Sequence, residues 1–346
     1  MTSNNSNNIG RLTITSSADA IDSTDGINTL REAIIFANST PGFNSIFVNA
    51  DLITLNPDLG TLKITDDLQI TGANIRGAGP AFDVFTVDNN AQVTIENANI
   101  SNGQDGIQVD NGSLTLLNST LENNEDDGID FNSSNSKLTV KNVLIRNNGV
   151  AEVTSPGAGI EIDGSKNEIS ITGATITGNE DSGISVNGAN NEIGVSSSSL
   201  TDNGGSGVVI GLNNPDAVGN IFSVNDSSLT GNTFDGLFVG SNNNSLDLSK
   251  SAFSNNKSDG IDIDGNNNSV TLRSATLDGN TDSGFEVGGN QNSALISGIT
   301  SVNNGGNGIK LDFTSANNML TLFDSSLTNN GLGTITDIGR NNSIIF

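Results

Sequence analysis

The chain of 346 residues contains no cysteine, no histidine, no tryptophan and no tyrosine. The lack of cysteine excludes disulfides, thiolate chemistry and zinc–sulfur sites. The lack of histidine removes the usual general base and the usual transition-metal ligand. Phenylalanine, with 14 copies, is the only aromatic residue, so the rings that most often stack on sugars are missing as well.

Basic residues and long apolar runs are also scarce. Thirteen Lys and Arg against 39 Asp and Glu give a formal charge of −26, which opposes binding to nucleic acid or anionic membranes. No apolar stretch is long enough for a membrane span, and residues 1–8 lack the pattern of a signal peptide. We expect an extracellular or cell-surface protein exported by another route, and a cytoplasmic location stays open.

The sequence does contain a repeat. A Gly followed by a bulky apolar residue recurs mostly every 24 residues, and the two longer spacings indicate loop insertions before Gly159 and Gly236. These marker glycines are Gly106, Gly128, Gly159, Gly183, Gly207, Gly236, Gly260, Gly284 and Gly308.

Each repeat has the pattern of short β-strands. Ile261 and Ile263 alternate with Asp262 and Asp264, so the apolar side chains face inward and the acidic ones outward. Three such strands per repeat are too short to be stable alone and must stack on the next repeat. The pattern predicts an all-β fold, a parallel β-helix of about 24 residues per coil and roughly 12 coils.

A second register consists of one Asn per repeat. We predict that these residues turn the coil corner in the left-handed conformation and hydrogen-bond from coil to coil as a ladder. The predicted ladder is Asn124, Asn148, Asn179, Asn203, Asn232, Asn256, Asn280 and Asn304.

The N-terminal residues do not follow the repeat. Leu12 to Ile14 is predicted as a strand and residues 29–38 as an amphipathic helix that begins with a capping box at Thr29 and Glu32. We predict that residues 1–50 form a cap over the open edge of the first coil, and that residues 51–346 form one continuous β-helix domain.

The segment from Asn28 to Ile34, followed by Pro41 and Gly42, resembles the CSLREA-type N-terminal motif of bacterial surface β-helix proteins, here of cyanobacterial type. Asn28 stands where that motif has Cys, and Thr29 where it has Ser. The coils are similar to the right-handed parallel β-helix of large secreted proteins and pectate-lyase-like enzymes. The resemblance implies a right-handed β-helix but little about function, since this fold carries lyases, hydrolases, epimerases, adhesins and stalks.

Two uses of the acidic residues compete with a purely solvated surface. A carbohydrate-active enzyme, a lyase or hydrolase, needs paired carboxylates, and neighbouring coils offer Asp127, Asp130 and Glu161. Calcium needs only oxygen ligands, and the densest groups offer Asp126, Asp127, Asp130, Asp262 and Asp264. Hydrolases of this fold usually carry a His beside the catalytic acids, and the alginate epimerases a Tyr and His pair; this sequence contains neither residue type.

The sequence alone therefore favours a structural or adhesive extracellular protein without a cofactor, with calcium as an option and a carbohydrate-active β-helix as the alternative. Its predicted partners are other copies of itself, joined end to end in filaments, or a cell-surface polysaccharide. The predicted assembly edge is the apolar end of the chain, formed by Ile344, Ile345 and Phe346.

Overall fold

The computed structural model describes residues 11–22, 24, 26–42, 44–149, 156–212 and 214–346. Residues 1–10 of the predicted cap, on which the signal-peptide expectation rests, lie outside the described residues. Within the described part, three parallel sheets of 14, 12 and 12 strands run side by side, and one helix precedes the coils. The predicted parallel β-helix of about 24 residues per coil is confirmed.

Each coil contributes one strand to each sheet in turn. Sheet 1 has 14 strands: Leu12–Ile14, Asn44–Val48, Leu68–Thr71, Ala91–Glu96, Gly112–Leu117, Lys137–Lys141, Glu168–Thr172, Glu192–Ser196, Ile221–Asn225, Ser245–Ser249, Ser269–Arg273, Ser293–Ser297, Met319–Phe323 and Ser343–Ile345.

Sheet 2 has 12 strands and precedes sheet 1 within a coil. Its strands are Leu62–Ile64, Phe85–Val87, Ile107–Val109, Ile129–Phe131, Ile160–Ile162, Ile184–Val186, Val208–Ile210, Leu237–Val239, Ile261–Ile263, Phe285–Val287, Asn307–Leu311 and Gly333–Asp337.

Sheet 3 has 12 strands and closes each coil. Its strands are Ile53–Thr54, Asn74–Arg76, Asn99–Ser101, Thr120–Glu122, Leu144–Arg146, Thr175–Thr177, Ser199–Thr201, Ser228–Thr230, Ala252–Ser254, Thr276–Asp278, Thr300–Val302 and Ser326–Thr328.

The inward side chains form one continuous apolar core. Ile261 and Ile263 are fully buried, as the alternation predicts, and Asp262 between them points outward. Five phenylalanines provide the largest buried side chains, and they stand in different coils: Phe85, Phe131, Phe222, Phe253 and Phe285.

The capping helix spans Leu30–Asn38, and Thr29 caps it through the predicted box with Glu32. Leu30, Ile34 and Ala37 are buried in the core, whereas Ile35 is 47% exposed. The helix is anchored to the first coils by Arg31, which pairs with Asp19 at 2.7 Å and donates to the carbonyl oxygens of residues 59–61. The division into a cap of residues 1–50 and a β-helix of residues 51–346 stays a prediction.

The Asn ladder forms as predicted and extends one coil further, to Asn330. In each step the side-chain amide donates to the Oδ1 of the next Asn at 2.9–3.1 Å. The same Oδ1 accepts the backbone N–H of the preceding ladder residue, as between Asn256 and Asn280. All eight predicted members are buried.

The conformational part of that prediction is wrong by one residue. The left-handed position is the residue before the ladder Asn, such as Asn255 with φ 56° or Gly279 with φ 69°. The left-handed residue turns the chain, and the following Asn points its side chain inward, because its amide has to reach the next coil.

A second Asn ladder, missed in the sequence, lies at the corner between sheets 2 and 1. The backbone N–H of each member donates to the Oδ1 of the next at 2.7–3.0 Å. It consists of Asn167, Asn191, Asn220, Asn244, Asn268, Asn292, Asn318 and Asn342. Its signal in the sequence is a further Asn that recurs with the same period as the first ladder.

We expect Asn256→Ala to lower the free energy of unfolding by about 1–3 kcal/mol, because it leaves two buried donors of Asn232 without their acceptor. Asn111→Ala, at an exposed position, is the control and should cost less than about 0.5 kcal/mol. Urea melts followed by far-UV circular dichroism measure both. Equal losses in the two variants would contradict a stabilising ladder.

Candidate functional site

The outward-facing column of sheet 2 brings acids of neighbouring coils together. Asp130 is paired in register with Glu161, and Glu161 with Ser185 in the next coil. Because parallel strands lie about 4.8 Å apart, successive members of the column are direct neighbours. The outward-facing members of successive strands are in register throughout: Gln108, Asp130, Glu161, Ser185, Val209, Phe238, Asp262, Glu286 and Lys310.

A second column lies one corner earlier, directly before the marker glycines, and all its members except Ala158 are polar. The N–H of Asp127 donates to Oδ1 of Asp105 at 2.8 Å, and Oδ1 of Asp127 accepts the N–H of Ala158 at 2.6 Å. In other coils the acceptor is a serine hydroxyl. The Oγ atoms of Ser182, Ser206 and Ser283 each accept the backbone N–H of the next member of the column. This Asp/Ser ladder gives Asp127 a structural role that the sequence analysis missed, although its signal is the Asp or Ser before the Gly.

The two columns meet at a group of three carboxyls. One oxygen each from Asp127, Asp130 and Glu161 lies within 4.8 Å of the others. Asp130 Oδ2 accepts from the side-chain amides of Asn132 at 2.8 Å and Gln108 at 3.4 Å. Its Oδ1 is buried without a hydrogen-bond partner among the described residues. The structure thus joins the three acids that the sequence offered as an alternative catalytic set.

Burial shifts the titration of this group. It raises the pKa of Asp130 to about 7, and the charge of Glu161 adds to the shift. It also raises the pKa of Asp127 well above its usual range, with a further contribution from the charge of Glu161. The pKa of Glu161 is raised by burial and by Asp163, while its hydrogen bond with Asp127 acts in the opposite direction. The interaction between these two carboxyls raises the pKa of Asp127 and lowers that of Glu161, so it favours the proton on Asp127.

Asp127 and Glu161 of this group line a cleft of about 610 Å³ on the outer face of sheet 2, and Asp130 stands one coil before Glu161 at its end. The two loop insertions flank this face, since one precedes the strand Ile160–Ile162 and the other follows the strand Val208–Ile210. Pro156 belongs to the first insertion, and Leu212 and Asn214 to the second; Glu161, Ser185 and Val209 form the floor. We call this space the acidic cleft, because its charged lining residues are Asp127, Glu161, Asp163 and Asp181.

The other predicted calcium ligands, Asp126, Asp262 and Asp264, do not belong to the groups of three carboxyls that the structure brings together. Asp126 is half-buried with a raised pKa, but it lies outside the three-carboxyl group. In the second group the oxygens that come together belong to Asp259, Asp282 and Glu286, and not to Asp262 or Asp264. Burial nevertheless raises the pKa of Asp262 to about 10, and its Oδ1 is buried without a partner among the described residues.

Either three-carboxyl group has the oxygen ligands that a hard cation such as calcium prefers. Calcium binding at Asp126, Asp127, Asp130, Asp262 and Asp264 remains a prediction.

Comparison with known proteins agrees with the fold. The family model described as right handed beta helix region matches residues 83–246. The chain is a right-handed parallel β-helix. No curated protein matches it. None of the described residues belongs to a helix with the length and apolar character needed to cross a membrane.

Several solved structures resemble this β-helix. A double mutant of the periplasmic alginate epimerase AlgG has a TM-score of 0.63 at 16% identity, over 83% of this chain and 76% of that one. The A-module of the Azotobacter vinelandii mannuronan C-5 epimerase AlgE6 has a TM-score of 0.59 at 12% identity, over 91% of this chain and 92% of that one. Pectate lyase Pel9A has a TM-score of 0.52 at 16% identity, over 97% of this chain and 80% of that one. At these identities the likeness establishes the fold alone.

We expect the free energy of unfolding to fall as pH rises from 5 to 9. Burial raises the pKa of Asp105 and of Asp259 to about 8 in the folded chain, whereas an unfolded Asp titrates near 4. The folded state therefore binds more protons in this range, and its stability is lost as the pH rises through the folded pKa values.

Thermal melts at pH 5 and pH 9 measure this loss. Asp259→Ser keeps an acceptor in the Asp/Ser ladder and should reduce the pH dependence, whereas Asp247→Asn, at a side chain that is 59% exposed, should not. A melting temperature at pH 9 equal to or above that at pH 5 would show that these carboxyls are not buried as described.

Proposed function

We propose that this chain is a carbohydrate-active β-helix that hydrolyses a neutral polysaccharide in the acidic cleft. The observation that carries the proposal is the pairing of Asp130, whose pKa is raised to about 7, with Glu161 in the next coil. Glycoside hydrolysis needs such a pair, one carboxyl that holds a proton near neutral pH and one that is ionised. We therefore propose a hydrolase in place of the structural or adhesive role that the sequence alone favours.

The residues divide the chemistry between them. Asp130, which holds its proton up to about pH 7, donates it to the oxygen of the scissile glycosidic bond as that bond breaks. Glu161, whose pKa the hydrogen bond with Asp127 lowers against the effect of burial, attacks the anomeric carbon in its ionised form, and water then releases the sugar from Glu161 with Asp130 as the base. Asp127 is a positioning residue, because it acts through Glu161.

The short distance within the group favours a retaining course. The three carboxyl oxygens lie within 4.8 Å of one another. Retaining glycosidases have carboxyls about 5–5.5 Å apart, while inverting enzymes need about 6.5–9.5 Å to admit a water.

The charge of the cleft favours a neutral substrate. All four charged residues named in its lining are acidic, so the carboxylates of a uronate polymer are repelled. The structural relatives act, by their names, on alginate, mannuronan and pectate. They support a polysaccharide as the substrate class and, with it, an exported protein; we propose that the charge of the cleft selects a different polymer.

We expect the protein to release reducing ends from a neutral polysaccharide, and Asp130→Asn and Glu161→Gln to lower kcat by about 100-fold or more. Asp262→Asn is the matched control, since Asp262 stands in the same outward column but four coils away from Glu161. A reducing-sugar assay over neutral and acidic polymers, with calcium or with a chelator, measures the activity. Equal loss in all three variants, or activity on uronate polymers alone, would contradict the proposal.

End-to-end assembly is a second proposal, favoured by the exposed apolar residues of the last coil. Ile344 packs against the core, whereas Ile345 is 48% and Phe346 is 82% exposed. We expect Ile345→Lys to prevent assembly in light scattering at high protein concentration without a change in the far-UV spectrum. If the unaltered chain stays monomeric across salt and calcium concentrations, this edge does not mediate assembly.

A further inference from the structure

A notch of about 320 Å³ adjoins the acidic cleft, with which it shares four lining residues: Asp181, Ser182, Val209 and Leu212. Gly205 lies between Asp181 and Phe234 of the two neighbouring coils, since its N–H donates to the carbonyl of Asp181 at 2.9 Å and its carbonyl accepts the N–H of Phe234 at 3.1 Å. Because Gly205 has no side chain, the carboxyl of Asp181 can lie over the backbone of this coil, where it lines the notch together with Phe234. A Cβ at Gly205 would lie 2.5 Å from Oδ1 of Asp181.

A second aromatic ring bounds the same notch. Phe238 follows Val209 in the outward column of sheet 2, so its ring stands one coil beyond the floor of the cleft. A Cβ at Gly240 would lie 2.8 Å from Cε1 of Phe238, so the edge of the ring lies close to the backbone at Gly240. Phe234 is 56% exposed, and together the two phenylalanines form an aromatic wall.

The opposite side of the notch is polar. Asp181 is half-buried, and its Oδ1 accepts from the hydroxyl of Ser182 at 3.2 Å. A wall of aromatic carbon facing a few fixed oxygen atoms is the usual composition of a small-molecule site. A pyranose ring has the matching surfaces, an apolar C–H face and an edge of hydroxyls.

We propose that this notch is a subsite for one neutral pyranose unit, with the C–H face of the sugar on Phe234 and Phe238 and its hydroxyls on Asp181. This inference rests on the proposed function. It adds the direction in which the polysaccharide lies on the β-helix. Val209 at the notch is two coils from Glu161, about 10 Å at the usual strand spacing. The polysaccharide therefore runs along the axis of the β-helix, a few sugar units from the carboxyls to the aromatic wall.

Binding can be measured separately from cleavage. In the Glu161→Gln background, affinity electrophoresis with xylan, mannan and β-glucan, and with alginate and polygalacturonate as acidic polymers, gives the affinity of each variant. We expect a neutral polymer to bind, and Phe234→Ala or Phe238→Ala to weaken its binding at least tenfold. Phe323→Ala is the control, since Phe323 is 45% exposed on sheet 1, away from the cleft.

Phe234→Trp gives an independent readout. The chain has no tryptophan of its own, so this variant carries a single strong fluorophore at the notch. We expect it to retain affinity and to shift its emission when the neutral polymer is added. The matched Phe323→Trp variant should show no shift.

The outcomes separate the two proposals. Binding that depends on Phe234, in a protein that cleaves none of the polymers, would overturn the hydrolase and keep the subsite. Cleavage with unchanged affinity and KM in Phe234→Ala and Phe238→Ala would overturn the subsite and keep the hydrolase. Failure of every neutral polymer to bind, or tighter binding of the acidic ones, also overturns the subsite.

Discussion

The structure depends on one constraint: each buried corner of a coil must find hydrogen-bond acceptors in the next coil. At the corner after sheet 3 the Oδ1 of an Asn supplies them, because it accepts both the backbone and the side-chain N–H of the preceding ladder residue. An unpaired donor there would cost about 1–3 kcal/mol. A coil of a different register would leave these donors unpaired, so the ladders hold the strands in register even where loop insertions lengthen the coil, as between Asn148 and Asn179.

The same register creates the chemistry of the outer face. Stacked coils place equivalent residues next to each other, so carboxyls at one position of successive repeats become neighbours whether or not their charges repel. Partial burial then favours the protonated form, which is why the pKa of Asp130 rises to about 7 and that of Asp262 to about 10. A rigid stack of short strands can therefore hold the proton of a general acid without a histidine.

The sequence predicted most of the fold, because a solenoid repeats its signals. The marker glycines, the first Asn ladder and the capping box at Thr29 all depend on neighbours in sequence or on one fixed period, and these were found correctly. The left-handed residue was placed on the ladder Asn and not on the one before it, since both positions are often Asn. The pairing of Asp130 with Glu161 was also foreseen, as it follows from the register.

The cleft was not predictable from the sequence. Its walls come from two insertions on opposite sides of sheet 2, and the direction in which a loop projects depends on tertiary packing. The notch depends on Gly205 lying between Asp181 and Phe234, and a single glycine in a chain with 41 of them carries no signal of its own. The sequence predicts Asp127 as a member of the acidic group. Its hydrogen bond with the N–H of Ala158 depends on the stacking of the coils and is not visible in the sequence.

The central claim is that the carboxyls of the acidic cleft act on a sugar chain that lies along the axis of the β-helix. A crystal structure of the Glu161→Gln variant soaked with a neutral oligosaccharide tests it most directly. We expect the chain to run from the aromatic wall at Phe234 to the carboxyls, with one glycosidic oxygen within hydrogen-bond distance of Asp130. An oligosaccharide bound on another face, or across the axis with no glycosidic oxygen near Asp130, would contradict it.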